Sequence, residues 1–130
     1  MRVVPELGPL GADYWKALRE HQLVVQSCES CAHAQHPPLP ICAACGGANL
    51  SWREVEPEGT LYAFAVVHHA THVAFAGEVP YAVGLVEVLP EVRIVARIRG
   101  DESSLRIGMP LVGAFHEINE DLTLLDFSAI

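Results

Sequence analysis

Residues 28–45, Cys28-Glu29-Ser30-Cys31-Ala32-His33-Ala34-Gln35-His36-Pro37-Pro38-Leu39-Pro40-Ile41-Cys42-Ala43-Ala44-Cys45, hold every cysteine of the 130-residue chain, as two Cys-x-x-Cys pairs with ten residues between them. Two thiolates separated by two residues approach one ion from a single tight turn, and a second such knuckle completes a tetrahedron. A four-thiolate site is closed. It leaves no position for water or substrate, so it orders chain instead of performing chemistry. Cys28, Cys31, Cys42 and Cys45 are therefore the candidate ligands of a structural Zn²⁺ ion, although iron accepts the same donors. Disulfides would need an oxidising compartment. The first twenty residues show neither a continuous apolar stretch nor a small-residue cleavage site, which sets the expectation of a cytoplasmic protein. A redox-active Cys-x-x-Cys normally occurs once, at a strand-to-helix junction, and here there are two.

Outward from this segment, Pro37, Pro38 and Pro40 stiffen the link between the knuckles, and Gly46-Gly47 supplies the positive φ that turns backbone N–H groups toward sulfur. On the N-terminal side, Leu23-Val24-Val25 reads as a strand over 22–27. Before it, residues 11–21 predict a short helix, with Asp13 as N-cap and Tyr14, Trp15, Ala17 and Leu18 at helical spacing. Trp52 is placed to pack between the ribbon and the C-terminal half of the chain.

After Pro57-Glu58-Gly59 the pattern changes to five runs of β character, over 60–69, 81–89, 92–99, 110–118 and 122–127, divided by turns rich in Gly, Pro, Asp and Asn. The third alternates most cleanly, with Val92, Ile94, Ala96 and Ile98 on one face and Arg93, Val95, Arg97 and Arg99 on the other. The second, Tyr81–Leu89, has little polar content, so it is expected to be covered on both sides, and Gly84 within it suggests a bulge or bend. Five short antiparallel strands in about 70 residues suit a closed five-stranded OB-fold barrel, with a small open sandwich as the alternative. The predicted fold is mainly β: an N-terminal helical segment (1–21), a zinc ribbon (22–52) and an OB-fold domain (53–130).

Charge narrows the function. Charged residues are 18% of the chain against a usual ~25%, so either a partner covers apolar surface or the domain is simply rich in Val and Ala. The net charge is −8, with one lysine and seven arginines, so the whole molecule repels a polyanion. That disfavours a single-stranded nucleic-acid-binding module, the alternative in which both halves of the fold also occur. No apolar run approaches the ~20 residues of a membrane span.

Tyr14-Trp15-x-x-Leu18, Leu23-x-x-Gln26-x-Cys28-x-x-Cys31, His36-Pro37-Pro38, Cys42-x-x-Cys45-Gly46, Trp52 and Gly59-Thr60-Leu61-Tyr62, then Val67-His68, Pro80-Tyr81 and Ile107-Gly108-Met109-Pro110, resemble the DUF35 family over essentially the whole chain. The resemblance implies a rubredoxin-like zinc ribbon joined to an OB-fold that associates with acyl-CoA. It also implies work beside a thiolase-fold partner, in thiolase, acyltransferase or retro-aldolase complexes that include steroid and lipid metabolism, with some members fused to or paired with MaoC-type hydratases. The chain would then be an accessory subunit, assisting CoA binding and assembly, and no catalyst by itself. Its residues agree, because all four thiols are committed to metal and no other nucleophile stands out.

Three sets of residues are candidates for function. Arg93, Arg97 and Arg99, with Arg106 nearby, form the one concentrated positive face and suit CoA phosphates. His68, His69 and His72 cluster at the start of a long loop, where they serve either as a second metal or acid/base site or as ordinary loop residues. Tyr14, Trp15 and Leu18, with Phe75, are the aromatic and apolar candidates for a partner interface, unless the helix folds back onto its own barrel.

Overall fold

The computed structural model describes residues 8–130; the first seven residues of the expected N-terminal segment lie outside the described residues. Helix α1 (Ala12–Arg19) precedes an antiparallel sheet of β1 (Leu23–Cys28), β2 (Ala34–Gln35) and β3 (Leu50–Val55), ordered β2-β1-β3. Then β4 (Glu58–Val67), β5 (Tyr81–Leu89), β6 (Val92–Arg99), β7 (Pro110–Asn119) and β8 (Leu122–Ala129) close into a barrel ordered β4-β5-β6-β8-β7. Closure comes from β7 returning to β4, with Gly59 opposite Leu111, and from one parallel junction in which Ile98 of β6 faces Phe127 of β8. The open-sandwich alternative is thereby replaced by a closed OB-type barrel.

The alternation along β6 sets the inside of that barrel. Val92, Ile94, Ala96 and Ile98 are all buried, opposite Leu89, Val86, Gly84 and Ala82 of β5. Leu61, Leu111 and Phe127 fill the rest at 1% exposure or less, and each such burial is worth roughly 1.5–3 kcal/mol. Gly84 departs from expectation. It pairs in regular register with Phe64 and Ala96, and the register shifts lie elsewhere, between Leu61 and Ala63 and between Glu87 and Leu89. What demands glycine is space: a Cβ at residue 84 would sit 2.9 Å from both Ile98 and Leu61. Nor is β5 covered evenly on both faces. It alternates buried with half-buried positions, because a barrel has one interior and the outer residues Val83 and Leu85 lie beneath only partial cover.

Helix α1 also differs in its start. Gly11 occupies the N-cap position without a side-chain bond, and Asp13, expected there, instead accepts a 3.0 Å hydrogen bond from Trp52 Nε1. That bond ties the helix to β3. Ala17 and Leu18 are buried, so the helix does fold back, and Leu18 is withdrawn from the set of surface contact candidates. Leu18, Leu23, Val25 and Val55 belong to the same continuous core as the barrel's Leu61, Ile94 and Phe127. Strand β3 runs through Val55, which pairs with Leu23. Ribbon, helix and barrel therefore share one hydrophobic interior.

Candidate metal centre and an adjoining groove

The two knuckles are built alike. In the first, Ala32 N–H donates to the Cys28 carbonyl at 2.9 Å, and in the second Gly46 N–H donates to the Cys42 carbonyl at 2.9 Å. Both donors have positive φ, 66° and 77°; Gly47 does not, so one of the two expected glycines has that role and Ala32 is its counterpart. Further N–H groups, of Ala44 and Gly47, approach the sulfurs of Cys42 and Cys45 at 3.4 Å. Sulfur separations are 3.7 Å for Cys28–Cys45 and 3.6 Å for Cys31–Cys42, and all four sulfurs lie within 4.8 Å of one another. Metal–sulfur bonds of about 2.3 Å in a tetrahedron give edges of about 3.8 Å, so the set fits one ion. No disulfide is formed.

The charges on these sulfurs are not independent. The N–H of Cys45, with burial opposing it and the N–H of Ala44 assisting, draws Cys42 down to about 6. The N–H of Cys31 lowers Cys28 in the same way. At Cys31 the N–H of His33 pulls downward, but burial and the three neighbouring thiols push the group up to about 12. Four thiolates this close cannot all ionise unless a cation shares them.

Between the knuckles, the linker is held by two buried amides. Gln26 donates to the Leu39 carbonyl (2.9 Å) and accepts from Leu39 N–H (2.9 Å) and from Gln35 Nε2 (2.7 Å). Gln35 also donates to the Ile41 carbonyl (3.1 Å) and accepts from Ala43 N–H (2.9 Å). The path of His36-Pro37-Pro38 is fixed by this lattice.

Beside that linker opens a groove of about 540 Å³. Tyr14 and Trp15 of α1 line one side, His36, Pro37 and Pro38 another, and Leu85, Arg93 and Val95 of the barrel's outer face the third. Tyr14 meets Trp15 edge-on (5.4 Å, 83°) and lies 5.2 Å from the His36 ring. Burial pushes the Tyr14 phenol up to about 12 and the His36 imidazole below its ordinary value, so both stay neutral near pH 7. A larger cleft of about 630 Å³ between β3 and β4 is lined by Glu54, Glu56 and Glu58 against the single cation Arg53, a net negative wall that disfavours a phosphate.

The remaining candidates are spread over the barrel. Arg93 lies 3.7 Å over the Tyr62 ring and its Nε donates to Glu87 at 3.0 Å; Arg97 pairs with Glu78 and stacks on Tyr81; Arg99 pairs with Asp126 at 2.7 Å. Each of the three guanidiniums already faces a carboxylate. Of them, only Arg93 lines the groove with Tyr14 and Trp15. Strand β4 stops at Val67, leaving His68 and His69 in the loop, and His72 Nδ1 accepts from Ala74 N–H at 3.0 Å to cap a short turn. Among the described residues, the four cysteines are the one set of three or more His, Cys, Asp or Glu side chains close enough to share a metal; the three histidines do not converge. Phe75 packs on Tyr81 at 5.9 Å, beside the outer face of β6 rather than in the groove. Sequence reasoning gave Gln26 and His36 only a place in motifs, and gave Gln35 none. The signal was there in two glutamines flanking the first knuckle, Gln26 beside the apolar run Leu23-Val24-Val25. Among the described residues, no helix is long and apolar enough to cross a membrane.

Residues 15–51 match the ChsH2 rubredoxin-like zinc ribbon domain and residues 52–116 the ChsH2 C-terminal OB-fold domain. The chain is 37% identical over 127 residues to a probable enoyl-CoA hydratase alpha subunit of Thermomonospora curvata, covering 95% of this chain and 39% of that protein. It is 32% identical over 101 residues to the 3-oxo-4,17-pregnadiene-20-carboxyl-CoA hydratase alpha subunit of Mycobacterium tuberculosis, covering 77% and 32%. The chain thus spans about a third of the length of these curated relatives. Among solved structures, an Ltp2-ChsH2(DUF35) aldolase superposes with a TM-score of 0.87 at 35% identity, over 97% of this chain and 98% of that one. A DUF35 protein of Sulfolobus solfataricus shares the fold at 12% identity, with a TM-score of 0.66 over 95% and 87%. With its ribbon, its barrel and its full-length likeness accounted for by one group, the chain belongs to the ChsH2-type DUF35 proteins.

Proposed function

We propose that this chain is a non-catalytic accessory unit of an acyl-CoA enzyme complex, a thiolase-fold aldolase, thiolase or acyltransferase, in which it assists acyl-CoA binding and assembly. The observation that carries this reading is the groove, where the aromatic candidates Tyr14 and Trp15 and the cationic candidate Arg93 meet on one surface. Two relatives named as subunits acting on CoA thioesters, and one as an aldolase of two components, support the substrate class and the dependence on a partner. The closed four-sulfur site is structural and holds zinc, which supplies charge neutralisation and cross-linking and no reactive position. Cys28, Cys31, Cys42 and Cys45 hold it. The reacting groups then belong to the partner.

Arg93 is the arginine assigned to CoA, while Arg97 and Arg99 are assigned to the carboxylates they already face. The nucleic-acid alternative gains nothing from this arrangement, since the barrel's arginine strand carries its own counter-charges. Co-purification from the native host, followed by acetyl-CoA titration of the assembled complex, tests the reading. A partner at fixed stoichiometry and weaker binding by Arg93→Ala are expected; a lone chain, or a complex with no affinity for acyl-CoA, overturns it. Elemental analysis is expected to give one zinc per chain, and a visible iron chromophore would reassign the metal.

A further inference from the structure

His36 and Arg93 are the strongly polar members of a largely apolar groove. The neighbours of His36 there are Trp15, Pro37, Pro38, Leu85 and Val95, with Tyr14 against its ring and Arg93 at the barrel side. The ring's Nδ1 is buried and has no hydrogen-bond partner, the one such side-chain atom among the described residues. Burying an unmatched N–H is costly, so the neutral ring places its bare lone pair at Nδ1 and its proton at Nε2. Nε2 has no protein partner either, yet it is not among the buried unmatched atoms, so it is the ring nitrogen open to a ligand in a residue that lines the groove. Burial also depresses the pKa, which keeps the ring from becoming a cation.

The result is a neutral donor of fixed tautomer in a wall of aromatic and proline surface. Such a wall suits alkyl segments, and one fixed N–H suits a carbonyl oxygen. At the barrel side Arg93 commits its Nε to Glu87, and its terminal nitrogens have no protein partner. Alkyl chain interrupted by amide carbonyls is the make-up of the pantetheine arm of CoA, and the phosphates to which that arm is joined are complementary in charge to Arg93. Resting on the function proposed above, we infer that His36 is a specificity-determining residue of this groove, its Nε2–H donating to an amide carbonyl of the pantetheine arm of acyl-CoA. The Gln26–Gln35 pair holds it there: Gln35, the residue before His36, is fixed against Gln26 in the β1–β2 pairing, and the two amides grip Leu39 and Ile41 beyond it.

Isothermal titration of the metal-loaded chain in its native complex, with acetyl-CoA and with acetylpantetheine, separates the parts. His36→Phe keeps the ring and removes the donor, and it should weaken both probes about three- to tenfold, the worth of one neutral hydrogen bond. His36→Gln, whose Nε2 can take the place of the imidazole donor, should recover most of that loss. Arg93→Met should weaken acetyl-CoA and leave acetylpantetheine unchanged. In the parent, ¹⁵N spectra should show Nε2 protonated and shifted by either probe. Unchanged affinity in His36→Phe, or a proton at Nδ1, overturns the role of His36 while leaving the accessory function standing. No binding of either probe by the parent complex removes both.

Discussion

Ala32 and Gly46 occupy equivalent positions in the two knuckles, each at positive φ and each donating to the carbonyl of the first cysteine of its pair. An alanine held there bears the left-handed penalty that glycine escapes. Ala32→Gly is therefore expected to raise the stability of the metal-loaded protein by about 0.5–1 kcal/mol, after allowance for the freer unfolded chain, whereas Gly46→Ala should lower it. Urea unfolding of the three proteins side by side checks both signs. Gly59 is glycine for a different reason: a Cβ would lie 2.2 Å from the Glu87 carbonyl oxygen, and β4 would have to leave β5. Gly59→Ala should cost about 1–3 kcal/mol in the same assay. His36 links residue to pH. Its folded pKa lies below the unfolded value near ~6.5, so its neutral burial favours the fold above that value and the advantage is lost as pH falls toward the folded pKa. His36→Phe should consequently lose less stability between pH 7 and pH 5 than the parent. Equal losses would assign the acid sensitivity to the thiolates, which also take up protons as metal leaves.

At the scale of elements, the knuckles were legible because their chemistry is local: four cysteines at fixed spacing need only a turn each. The linker between them was not. Its prolines announced stiffness, but its course depends on Gln26 and Gln35, which meet across the β1–β2 pairing. Gln35→Leu would leave Ala43 N–H without its acceptor and remove a donor to Gln26, and each unmatched buried group costs about 1–3 kcal/mol. The variant should show a lower melting temperature and release metal to a chelator faster than the parent. Gln26 is two residues from Cys28, Gln35 adjoins His36 and the two amides bond each other, so chelation should raise hydrogen exchange through residues 29–49, the His36-Pro37-Pro38 wall included. Amides of Leu23 and Val25, whose side chains sit in the shared core, should remain protected. Uniform exposure of all three ribbon strands would contradict that order.

For the whole molecule, the shared interior decides what can be separated. Residues 53–130 alone would lack Leu18, Leu23 and Val25 and present the opposing core surface to water. Excised, they are expected to aggregate or to show no cooperative melt; a monomeric fragment with dispersed amide spectra would show that the barrel folds without the ribbon. The charge of −8 is likewise a property of the whole, but its placement is not. The face of β6 looks basic when read along the strand, and it is laced by Glu87, Glu78 and Asp126 when its neighbours are added.

Read as a string, the chain determined its four-cysteine cluster, its mainly β class, the inward face of β6 and its family resemblance, since each rests on spacing, alternation or ordered motifs within short stretches. Only the tertiary structure decided that the helix turns Leu18 inward, that the three histidines stay apart, that the arginines have carboxylate partners, and that Trp15, His36 and Arg93 border one groove. Those outcomes depend on contacts between residues distant in sequence, whose register and packing no local pattern encodes.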